Sequence, residues 1–150
     1  MRRLRKCLFA VIFGACAAIL FPNWAQGAEK ISAEQEFREF TDYNLTICGT
    51  GARRAINAWR SGRLVNEQYE FGDCIAEARV EGKKLYAAAL AEVNGKAPAE
   101  TALKEYFATW LTALASVKPN SYETIGAYND RQSDFAAKIE LMWNKFELEN

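Results

Sequence analysis

The chain has 150 residues, half of them apolar, with nineteen basic and nineteen acidic side chains, four cysteines and no histidine. The missing histidine excludes imidazole-based nucleophile systems, histidine-ligated zinc and haem, and the Glu-x-x-His pairs of di-iron bundles. An even charge balance without a basic stripe also argues against a nucleic-acid partner.

The first residues read as a secretory signal peptide over 1–27. Arg2, Arg3, Arg5 and Lys6 precede an apolar run from Cys7 to Phe21, Pro22 breaks the run, and Ala25-Gln26-Gly27 supplies small residues for cleavage. The run is shorter than the roughly 20 residues that cross a bilayer, so no stable membrane anchor is expected. Cleavage takes four of the nineteen basic residues and no acidic one, leaving a formal charge of −4 on 28–150. That remainder suits a single domain with one core, placed in a periplasm or outside the cell. Cys7 and Cys16 leave with the leader. Cys48 and Cys74 then have one possible pairing, and export takes them to an oxidising compartment. A disulfide closing a loop of that size contributes about 3–4 kcal/mol in the chain-entropy model.

From Ser32, an N-cap candidate with Gln35 three residues on to complete a capping box, the first helix follows. Its apolar positions Phe37, Phe40, Cys48, Ala52, Ala55 and Trp59 recur at helical spacing. Gly49-Thr50-Gly51 is its weak point, since each glycine costs about 1 kcal/mol in a helix interior. The segment is either a break or a place where a disulfide draws two helices unusually close. Ser61-Gly62 makes the turn. The second arm carries Leu64, Phe71, Cys74, Ala78, Leu85 and Ala89 at the same spacing. With Cys48 facing Cys74, facing positions run in antiparallel register. Phe37 then meets Leu85, Phe40 meets Gly82, and Arg53 and Arg54 meet Glu67 and Glu70.

Asn94-Gly95 ends this helix, and Pro98 falls in the first turn of a third, whose stripe is Leu103, Phe107, Trp110, Leu114 and Val117. Lys118-Pro119-Asn120 stops it, and Ser121 is the expected cap of a fourth. There Ile125, Tyr128, Gln132, Phe135, Ile139, Met142 and Phe146 share a face, with a polar run from Asn129 to Asp134 at which the helix could restart. No strand-like alternation competes. The expected fold is all-α: an up-down-up-down four-helix bundle stapled by one disulfide between its first two helices.

Three groupings bear on function. Glu70, Asp73, Glu77 and Glu81 share one helix face, either as a solvated acidic surface or as a cation or glycosidase-type site. Arg53, Arg54, Arg60 and Arg63 form a basic run with no acid between Asp42 and Glu67, either pairing with the second arm or meeting an acidic partner. Tyr122, Tyr128, Asn129, Asp130, Arg131 and Gln132 combine the aromatic and arginine residues that anchor protein interfaces, and form the candidate partner-binding segment. Trp59, Trp110 and Trp143 read as core. No catalytic motif, metal-ligand spacing or cofactor motif is present, so no cofactor, metal or enzymatic activity is expected. The sequence points to an exported protein-binding module of the inhibitor, immunity-protein or assembly-adaptor kind. The alternatives are a binder of a small apolar ligand in the bundle core, or a carboxylate-dependent hydrolase using the Glu77 face.

Overall fold

The structure, a computed structural model, describes residues 31–62, 67–120 and 122–150, with the backbone alone for 67–70. The expected leader, Leu64, Arg63 and Ser121 lie outside these residues, as do the side chains of Glu67 and Glu70. Four helices and no strand make up the described chain: α1 (Ala33–Arg60), α2 (Glu67–Glu92), α3 (Ala97–Ser116) and α4 (Ile125–Glu149). α1 packs mainly on α2 and α3 mainly on α4, giving two antiparallel hairpins that dock into the expected bundle.

Ser32 caps α1 with its hydroxyl accepting from the Gln35 amide at 3.2 Å. The capping box is only half made, because the Gln35 amide group turns outward to Glu39 at 2.9 Å. α1 runs unbroken through Gly49-Thr50-Gly51, and α4 unbroken through 129–134. The glycines serve close approach instead. Cys48 and Cys74 form the disulfide, with Cα atoms 5.7 Å apart, well inside the usual 8–10 Å between helix axes. A Cβ at Gly51 would already touch the Cβ of Phe71 at 3.4 Å.

The cysteine register carries along the hairpin. Phe37, expected against Leu85, packs on the adjacent Tyr86 with ring centroids 5.9 Å apart, and a Cβ at Gly82 would meet Phe40 at 3.3 Å as expected. The third helix closes over this end. Phe37 is fully buried among Tyr86, Tyr106, Phe107 and Trp110. On α3 the innermost aromatic positions are Tyr106 and Trp110. Phe107, expected on the stripe, is half-buried and stacks on Tyr86 at 4.2 Å.

A polar knot joins the hairpins inside this apolar cluster. Buried Thr41 hydrogen-bonds the Tyr106 hydroxyl, and the Trp110 indole donates to the Thr41 carbonyl at 3.2 Å. Arg38 pairs with Asp42 at 3.0 Å and with Glu140, and its guanidinium lies over the rings of Tyr106 and Trp143. Burial pushes the Tyr106 phenol above its ordinary range, outweighing Thr41 and Arg38. Each buried polar atom in the knot has a partner, so it fixes how the hairpins dock without the penalty of an unsatisfied group.

Candidate functional site

At the opposite end of the bundle, the last turn of α1, the start of α2 and the α3–α4 connection enclose a groove of about 720 Å³. Its described lining is Ile56, Trp59 and Arg60 from α1, Phe71 from α2, and Lys118 to Asn120 with Tyr122 to Thr124 from the connection. Ile56 and Phe71 are buried and form an apolar floor. Trp59 remains 40% exposed and Tyr122 fully exposed, one aromatic from each hairpin. Trp59 was expected in the core. It sits where the α1 stripe runs past the packed part of the bundle, so its ring lines an open end instead.

The connection that carries Tyr122 is held by a dense set of polar contacts. Pro119 lacks an amide hydrogen and restricts the residue before it, which fits the end of α3 at Ser116. Asn120 and Glu123 bond reciprocally, the Asn120 amide to the Glu123 carboxylate at 3.0 Å and the Glu123 amide to the Asn120 carbonyl at 3.1 Å. Arg131 grips the same carboxylate in two bonds, at 2.9 and 2.6 Å, and also donates to the Ser116 carbonyl. Gln132 donates to that carbonyl at 3.0 Å. The C-terminus of α3, whose last carbonyls have no partner in their own helix, is thereby capped by two side chains from α4. Bonds from Arg131 hold the Glu123 carboxyl below its ordinary range against a smaller opposing effect of burial. The cap of α4 itself is Thr124, accepting from the Ala127 amide at 3.2 Å, rather than the expected Ser121.

The six candidate partner-binding residues occupy different places in the structure. Tyr128 is fully buried and unavailable to a partner; its hydroxyl donates to the Val117 carbonyl at 3.2 Å and lies 3.5 Å from that of Gly49. Burial raises its phenol above the ordinary range. Arg131 lies over the Tyr128 ring, and with Gln132 it is committed to the α3 terminus. Asn129 and Asp130 are exposed on the outer face of α4 and do not line the groove. Tyr122 alone of the six faces it, held at φ +64° in the left-handed region that side chains rarely adopt. Trp59, Phe71, Arg60, Lys118 and Pro119 also line the site and had no place in the candidate partner-binding segment. The turn at Lys118-Pro119-Asn120 was the available signal, since loops carry binding residues more often than helix faces do.

The other two groupings form no shared site among the described residues. Asp73 and Glu77 are exposed, Glu81 pairs with Lys84 at 2.7 Å, and no cluster of metal-ligating side chains occurs among the described residues. In the basic run, Arg53 donates to the Thr50 hydroxyl at 3.0 Å, Arg54 edges a shallow groove over the disulfide, and Arg60 reaches the end groove. No described helix is long and apolar enough to cross a membrane. Comparison with protein-family models, with curated proteins and with solved structures gives no match.

Proposed function

We propose that the chain is an exported protein-binding module without catalytic activity, acting in a periplasm or outside the cell through the groove at the Trp59–Tyr122 end. The observation that carries this reading is the pair of exposed aromatics, one from each hairpin, over a buried apolar floor. Aromatic anchors beside a preformed apolar recess are the usual centre of a protein interface. Tyr122 is the third residue of the turn closed by the Glu123 amide donating to the Asn120 carbonyl at 3.1 Å, so its positive φ belongs to the turn, and that turn holds its ring out in the open. The net charge of −4 expected after leader removal keeps nucleic acid and anionic membranes off the list of partners. A photo-cross-linking amino acid at position 122, in protein expressed in its own host, tests the reading. It should trap one polypeptide, and Trp59→Ala should abolish the product. Equal labelling at Tyr122 and at exposed Asn129 would refute it.

A second reading, a small apolar ligand, rests on the volume of the same groove and on Ile56 and Phe71 at its base. It places the ligand at the end of the bundle rather than in its core, where aromatic rings fill the interior among the described residues.

A further inference from the structure

We infer that the end groove takes an extended peptide segment carrying a large apolar side chain close to a carboxylate, so that an acidic-apolar stretch of the partner is what docks; this rests on the protein-binding reading above. The floor of Ile56 and Phe71, with Pro119 beside it, supplies the apolar half of the recognition. The charged half comes from Arg60 and Lys118, both exposed and both in the lining. Among the described residues neither has a carboxylate within salt-bridge distance. Glu123, the one carboxylate in the described lining, has a side chain only 7% exposed and is neutralised by Arg131. An arriving carboxylate therefore meets two cations, and the carboxylate in the described lining is already engaged. These two cations make the described rim of the groove complementary to the carboxylate of an acidic segment.

The shape favours a chain over an enclosed small molecule. Small-molecule sites bury most of their ligand, whereas this recess is open to solvent between the hairpins and flanked by the exposed rings of Trp59 and Tyr122. Aromatic side walls with basic groups at the rim suit an extended backbone that places one side chain inward and the next carboxylate at the edge.

The test is a selection of short random peptides displayed on phage, against the protein purified from its own host, followed by solution affinities of the recovered peptides. Asp or Glu should recur beside an aromatic or large aliphatic residue. The double variant Arg60→Glu, Lys118→Glu should weaken binding about tenfold or more, and added salt should weaken it in the unaltered protein. Circular dichroism and the milder pair Arg60→Gln, Lys118→Gln guard against a folding defect. Recovered peptides with no acidic bias, or indifferent to charge reversal, overturn the inference. If position 122 still cross-links its partner in the reversed variant, the protein-binding reading survives and only the acidic-apolar specificity falls. If palmitate binds and no peptide is recovered, or if a concentration-dependent dimer disappears on Arg60→Glu, the groove belongs to a lipid or to a second copy, and the peptide inference is again overturned.

Discussion

The indole of Trp110 occupies the place of a side chain at Gly82: a Cβ built there would lie 2.4 Å from Cη2 and 2.7 Å from Cζ3 of that ring. Trp110 is fully buried and fixed by its bond to Thr41, so it has little freedom to withdraw. Gly82→Ala gains about 1 kcal/mol of helix propensity, but overpacking a filled core costs roughly 1–3 kcal/mol. The overlap here is severe enough for the cost to win. Urea unfolding should show a loss of about 1–2 kcal/mol, and Trp110→Phe should relieve part of it in a double-mutant cycle. An additive cycle would mean that the ring is not the obstacle.

The disulfide gives the second prediction. It is the one covalent tie between α1 and α2 among the described residues, enclosing a sequence separation of 26. Replacing both Cys48 and Cys74 by alanine should cost about 3 kcal/mol while leaving the helix content intact below the transition. A variant with unchanged denaturation midpoint would show that the packing of Phe37, Phe40 and Trp110 holds the hairpin without it.

How the sequence and the structure correspond follows from these two sites. The register of α1 against α2 was legible because it is local: two cysteines flank one turn, and Phe40 opposite Gly82 follows from them. That Trp110 would also enter the space above Gly82 was not, since it depends on how the second hairpin docks. Tyr128 sat on the apolar stripe of α4, and its spacing marked it as core although its polar neighbours suggested surface. Trp59 erred the other way, with a core-like spacing at a helix end that nothing covers. The Glu123–Arg131 clamp spans a helix cap and has no periodic signature. The groove between the hairpins was therefore outside what one-dimensional spacing can express.

Tyr128→Phe provides a direct check on its changed role. Removing the hydroxyl leaves the Val117 carbonyl without that partner and should cost about 1 kcal/mol, with no effect on capture by the groove. Loss of capture at full stability would return Tyr128 to the binding surface.

The clamp predicts an acid-sensitive connection. The Glu123 carboxyl is held below its ordinary value of 4.5 by Arg131, so its contribution to stability is fully present above that pH. It is lost as pH falls through the lower folded value. Glu123→Gln should therefore be destabilising near neutrality and nearly silent in strong acid. Denaturation midpoints of the two proteins, measured from pH 7 downward, should converge. A gap that stays constant with pH would show that the side chain acts through its shape and not its charge.

Tyr122 separates stability from function. At φ +64° a tyrosine carries strain that glycine does not, and its ring is fully exposed, so little packing is lost with it. Tyr122→Gly should raise stability by about 1 kcal/mol or leave it unchanged once the greater freedom of glycine in the unfolded chain is counted. The same change should cut partner capture severely, because one of the two aromatic walls is gone. Stability is read from urea unfolding, and capture from pull-down of the partner that position 122 traps in the parent protein. A variant that binds as well as the parent would leave the tyrosine without a role in binding and would count against its exposed ring as an anchor of this groove. A variant that loses both stability and binding would instead make Tyr122 part of what shapes the connection.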